Sequence, residues 1–166
     1  MAVASENLEG TALDTWRSYL QSHAAIVREL DAELVAVHGM TSRDYEVLLY
    51  LSQEDDRRLP MSKLSERTML TRSGITRLID GLVLAGLIER TACQRDARIA
   101  YAQLTDLGYE KLRNAGCTHI KGIQRAFLEH FTPAELETLG SLLGRLPGAT
   151  GQGACTASGD GACTAS

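Results

Sequence analysis

Apolar residues recur with a helical period along most of this chain, and the pattern gives way to strands in one short interval. Trp16, Leu20, Ala24, Val27, Leu30, Leu34 and Val37 predict a long helix over 11–38, opened by a capping-box-like Thr11-Ala12-Leu13-Asp14 and ended by Gly39. A second helix is expected from Thr41, with Asp44 three positions on and Val47, Leu48 and Leu51 on its buried face. Two short helices follow. Ser62 is expected to cap the first, which runs to Met69; Thr71 caps the second, over 72–85. Ile75, Leu78, Ile79, Leu82 and Val83 form the second helix's apolar stripe, and Leu70 and Ile75 stand at the positions of a hydrophobic staple. About three residues part the pair, the spacing of a helix-turn-helix. Gly86 stops the second helix. A strand begins at Leu87-Ile88-Glu89-Arg90, another is expected over Ile99–Leu104, and a polar, basic connection from Cys93 to Arg98 joins them. Helical spacing returns from Asp106 to about Phe131. Thr132-Pro133-Ala134-Glu135 then restarts a last helix carrying Leu136, Leu139, Leu142, Leu143 and Leu146.

The expected fold is mainly α with a small β-wing: a winged helix-turn-helix flanked by N- and C-terminal dimerisation helices. On the second short helix, Thr71, Arg72, Ser73, Thr76 and Arg77 occupy the polar face, which suits phosphates and base edges in a major groove. Gly74 would let that helix start approach the DNA backbone closely. Ser62 and Lys63 stand at a helix start, where backbone amides and a cation hold phosphate. Arg95 and Arg98 sit at the tip of the hairpin. The first helix, roughly 28 residues and about 42 Å long, is too long for one small domain to cover. Its stripe, with that of the last helix, asks for a second copy.

After the hairpin, Asp96-Ala97-Arg98 leads through an apolar strand into Leu104-Thr105-Asp106-Leu107-Gly108. In this order of elements and in these motifs the chain, over 13–146, resembles the multiple-antibiotic-resistance regulator (MarR) family. The resemblance implies one domain over 1–146. Residues 11–38 and 106–146 would pair two subunits, and 41–105 would form a DNA-reading lobe. It also implies a homodimeric transcription regulator, more often a repressor, on a near-palindromic operator. Arg98, oriented by Asp96, would reach the minor groove; a purely structural Asp96–Arg98 bridge is the other account. Family members commonly bind small aromatic or phenolic anions between the dimer helices and the reading lobe. Here Trp16, Tyr19, His23 and Tyr45, with Arg17 for the anion, are the candidates. The early position of Trp16 resembles the urate- and phenolate-responsive branches, while packing of the dimer base is the competing role for Trp16 and Tyr45. Redox sensing is the rival signal. The family's sensing cysteine near the first helix is missing, but Cys93 lies between Arg90 and Arg95, which favour thiolate. A winged helix used only for dimerisation or protein contact is the remaining alternative.

Composition bounds this reading. The chain has 166 residues, 44% of them apolar, enough for one domain with a core, though aromatics are sparse at 5%. Its net charge of -4 is the wrong sign for a DNA reader until it is divided along the chain. Residues 60–105 carry seven Lys and Arg against four Asp and Glu, a net +3, so the rest carries -7. That polarity is the electrostatic footprint of phosphate contact, and acidic flanks discourage non-specific binding. No run of about 18 apolar residues offers a membrane span, and the N-terminus lacks a signal core, so a cytoplasmic protein is expected. Reduced thiols are the expectation for four scattered cysteines, with Cys117 a small core residue. His23, His38, His119 and His130 have no ligand spacing and no Cys-x-x-Cys occurs, so neither metal nor cofactor is expected. No nucleophile–base pair or phosphate-binding Gly loop suggests an enzyme. Beyond Pro147 the chain is mostly Gly, Ala, Ser, Thr and Cys, with hardly any large apolar group, and Gly153–Ser158 recurs unchanged as Gly161–Ser166. Disorder is expected over 147–166.

Overall fold

The computed structural model describes residues 9–92 and 99–147. Helix α1 (Gly10–His38) is followed by α2 (Ser42–Ser52), strand β1 (Arg58–Pro60), α3 (Met61–Thr68) and α4 (Arg72–Leu84). Strands β2 (Ile88–Ala92) and β3 (Ala100–Leu104) precede α5 (Asp106–Ala126), a 3-10 turn (Leu128–His130) and α6 (Pro133–Leu143). The tail beyond Pro147 and the hairpin tip, including Cys93, Arg95, Asp96 and Arg98, lie outside the described residues.

Side-chain caps set most helix starts. Thr41 and Asp44 close a capping box on α2, and Thr132 and Glu135 close one on α6, where Pro133 takes the first position. Thr71 accepts from Gly74 N–H at 3.2 Å at the start of α4. Two starts differ from the sequence reading. Helix α1 begins at Gly10 behind Glu9, with no side-chain cap, and Thr15 bonds the Thr11 carbonyl at 2.7 Å inside the helix. Helix α3 begins at Met61 behind Pro60, so Ser62 is a first-turn residue rather than the cap. At the other end, α5 stops at Ala126, short of Phe131.

The core lies where α2, α3 and α4 meet the strands and the start of α5. Ile75, Ile79 and Leu82 of α4 are buried with Leu64 of α3, Val47, Leu48 and Leu51 of α2, Ile88 and Leu104 of the hairpin, and Leu112 and Ala115 of α5. The strands form one antiparallel sheet in the order β1-β3-β2, with Leu59 opposite Ala102 and Ile88 opposite Leu104. Strand β1 extends the expected two-stranded hairpin to three; Pro60, which has no N–H to donate, is tolerated on its edge.

The Leu-Thr-x-x-Gly motif has a physical basis here. Thr105 caps α5 through Gly108 N–H (3.0 Å), and its hydroxyl lies 2.8 Å from the Gly86 carbonyl and 3.1 Å from that of Leu87. It thereby ties the end of α4 to the start of α5. Gly108 packs directly on the Leu87 carbonyl, where a Cβ would overlap the oxygen. Gly86 itself turns the chain with φ +73°.

The long helices are poorly covered within one protomer. Of the 29 residues of α1 only Leu34 is buried, and α6 buries none. Trp16, Tyr19, Leu20, Val27, Leu142 and Leu146 are exposed. Helix α1 runs along α5, held by Arg125 bridging Glu29 and Glu33 (both 3.0 Å) and by His38 bonding Thr118 at 2.8 Å. No described helix is long and apolar enough to cross a membrane. Cys117 is half-buried and disulfide-bonded, which departs from the expectation of a reduced core thiol.

Candidate nucleic-acid interface

The turn between α3 and α4 spans Met69, Leu70 and Thr71. Met69 adopts a left-handed conformation (φ +53°), unusual for a side-chain-bearing residue. The Ser65 hydroxyl braces the turn by donating to the Leu70 carbonyl at 2.6 Å. Buried Thr68 satisfies its hydroxyl on the Leu64 carbonyl at 2.7 Å. This fixes α4 with Ile75 and Ile79 inward and leaves Thr71, Arg72, Ser73 and Arg77 exposed, with Thr76 half-buried. Gly74 serves the cap itself, since a Cβ there would stand 3.2 Å from the Thr71 hydroxyl and 3.7 Å from Leu70 Cβ.

The cations of the lobe divide into two kinds. Lys63 pairs with Glu66 (2.8 Å), Arg67 with Glu54 (2.9 Å) while lying over the Tyr50 ring, and Arg90 with Asp80 (2.8 Å). Arg72 and Arg77 have no ion pair or side-chain hydrogen bond among the described residues. Their guanidinium groups stand in solvent at the first turns of α4, beside the hydroxyls of Thr71 and Ser73, which lie 3.2 Å apart. A helix start with free cations and hydroxyls is an arrangement that takes phosphate oxygens or the acceptor edges of guanine. Ser62 and Lys63 are exposed nearby on α3, and an open groove of about 600 Å³ separates the helix pair from the wing strands.

The sequence of the family described as MarR matches residues 38–99, which hold the whole helix-turn-helix. The transcriptional regulator AdcR of Streptococcus pneumoniae is 34% identical over 116 residues, covering 66% of this chain and 75% of AdcR. The chain belongs to the MarR family. The HTH-type transcriptional regulator PapX of Escherichia coli is 33% identical over 98 residues, 57% of this chain and 60% of PapX, so the chain spans well under two thirds of that relative. Among solved structures, the MarR family regulator Sco3205 of Streptomyces coelicolor, in complex with DNA, superposes with a TM-score of 0.79 at 31% identity. That match covers 82% of this chain and 89% of Sco3205. This MarR family member has the winged-helix fold.

The ligand candidates fall in two places. Trp16, Tyr19 and His23 stack in series along exposed α1, with ring centroids 6.0 and 6.3 Å apart, and Arg17 is exposed beside them. Tyr45 is buried on α2 against the His119 ring of α5, at 4.6 Å. That ring lies next to Thr118, the partner of His38 at the other end of α1. Trp16 is 22 residues from His38, about 33 Å along a helix, so one protomer does not bring the two groups together. His119, missed by the sequence reading as a neighbour of Tyr45, has a buried Nδ1 with no hydrogen-bond partner among the described residues. Burial pushes its pKa below the ordinary value, and Glu33 opposes that shift.

Arg90 was expected to help activate Cys93, but its guanidinium is engaged by Asp80 and the Thr76 carbonyl (3.4 Å). The spacing of Thr76 and Asp80, one turn apart on α4, is the only sequence sign of that pairing.

Proposed function

We propose that this MarR family regulator is a homodimer that reads a near-palindromic operator through α4 and the wing. In this reading it represses transcription until a small aromatic or phenolic anion releases it. The observation that carries DNA reading is the pair Arg72 and Arg77, exposed on a capped helix and free of any carboxylate among the described residues. Thr71, Ser73 and Thr76 supply hydroxyls on the same surface, and Ser62 and Lys63 hold a neighbouring phosphate. Arg95 and Arg98 at the wing tip, with Asp96 orienting Arg98, extend the contact into the minor groove.

Dimerisation is supported by the uncovered apolar residues of α1 and α6. Two-fold symmetry would set the reading helices about 34 Å apart, one DNA turn. The aromatic series Trp16, Tyr19 and His23, with Arg17, offers rings and a cation for an aromatic anion. A complete cleft would need Tyr45 or an equivalent from the second subunit.

The test is Arg72→Ala with Arg77→Ala. The double variant should bind operator at least tenfold more weakly and flatten the salt dependence by about one unit for each arginine on phosphate. The dimer should stay intact. Unchanged operator binding would show the reading face to be elsewhere.

A further inference from the structure

We infer that Arg90 is a positioning residue for operator reading, one that fixes the wing-bearing strand against the turn of α4 presenting Thr76 and Arg77. The inference rests on the proposed DNA-reading role of that helix.

Strand β2 is an edge strand, hydrogen-bonded to β3 on one side only. Ile88 at its base is buried, but Glu89, Arg90 and Ala92 are exposed and Thr91 only half-buried, so β2 itself leaves the core after one residue. Side chains two apart on a strand share a face, so Arg90 follows Ile88 on the side turned to α4, about 7 Å further out. There the guanidinium pairs with Asp80 at 2.8 Å and donates to the Thr76 carbonyl at 3.4 Å. Thr76 and Asp80 are one helical turn apart, so a single side chain grips that turn at both ends. Arg90 and Thr76 also line the groove of about 600 Å³ between the helix pair and the strands. The clamp thus sets how far the wing stands from the reading helix.

An exposed bridge of this kind adds little to stability. Its effect is geometric: a wing and a helix that must engage one half-site together lose binding when the angle between them is free. A direct phosphate contact by Arg90 is the competing role, and Asp80 separates the two. Removing the Asp80 charge leaves Arg90 in place and makes the lobe more basic. Charge alone would then strengthen binding to any duplex, whereas loss of the clamp weakens binding to operator.

The experiment titrates the full chain and its Asp80→Asn, Arg90→Gln and doubly substituted variants against operator DNA, obtained by selection from random duplexes, and against random duplex. All three variants should lower the ratio of operator to random affinity about threefold to tenfold, the double no more than either single. Melting temperatures should stay within about 2 °C of wild type. Asp80→Asn alone decides the matter if Arg90→Gln folds poorly. The inference is overturned if Asp80→Asn binds operator as tightly as wild type or tighter. It is overturned equally if Arg90→Gln weakens both duplexes alike and lowers the salt slope by about one unit. Wild-type preference for the selected duplex, read in the same titrations, tests the underlying role, and its absence would remove both.

Discussion

Replacing Gly108 by Ala adds one methyl group at the joint between the reading lobe and α5, and the surroundings give it no room. The new Cβ would overlap the Leu87 carbonyl oxygen and stand 2.7 Å from Leu104 Cδ1 and 3.0 Å from the Leu87 carbonyl carbon. A flexible side-chain tip could yield, but this obstacle is backbone. The same carbonyl accepts from Thr105 N–H at 3.1 Å and lies 3.1 Å from the Thr105 hydroxyl, so its retreat would break the tether of α4 to α5. The cost should sit at the upper end of overpacking, about 3 kcal/mol. With a urea slope of about 2 kcal/mol/M, the unfolding midpoint should fall by roughly 1.5 M at fixed protein concentration. Gly81→Ala is the internal control. Gly81 is exposed inside α4 with nothing within 4 Å of the added methyl, so helix propensity should stabilise that variant by up to about 1 kcal/mol. A Gly108→Ala midpoint within about 0.2 M of wild type would refute the close-packing account of the motif.

Two further predictions concern assembly and pH. Leu20→Glu with Leu142→Glu places charges on the uncovered faces of α1 and α6; it should weaken the dimer by about 3 kcal/mol or more, read as monomer in sedimentation, and an undisturbed dimer would place the interface elsewhere. Protonation should destabilise the α2–α5 joint. His119 has an ordinary value of 6.5, which burial lowers in the fold against a raising effect of Glu33. Below pH 6.5 the unfolded chain therefore binds the proton first, so stability is full above that pH and is lost as pH falls towards the folded value. Urea midpoints at about pH 7.5 and pH 5.5 measure the loss, and His119→Gln should reduce it. Some loss should persist, because burial, with Lys111, lowers His38 in the same sense. An unchanged pH response in the variant would remove His119 as a cause.

Local signals in the sequence carried far because they act locally. Thr41 with Asp44, Thr71, and Thr132 with Glu135 cap the helices they were expected to cap, since a capping bond spans only three residues. Strand β1 escaped notice because three residues are too short to show alternation, and its pairing with β3 joins positions more than 40 apart. Ser62 was read as a cap from its type alone, but Pro60 already stands where the extended backbone enters α3. The helix face carrying Arg72 and Arg77 was legible from periodicity. That these two arginines are free while Lys63, Arg67 and Arg90 are committed was not, because Glu54 and Asp80 reach Arg67 and Arg90 only through tertiary packing. The separation of Tyr45 from Trp16 likewise depends on the direction of a helix rather than on its existence.

The most direct test of the account is a titration of the purified chain against DNA from its own upstream intergenic region, with random duplex as the control. Saturable binding of one dimer to a near-palindromic site, on the order of a thousandfold tighter than to random DNA, is the predicted result. Equal, weak and salt-sensitive binding to both, there and to duplexes selected from a random pool, would contradict it and leave a winged helix that serves protein contact.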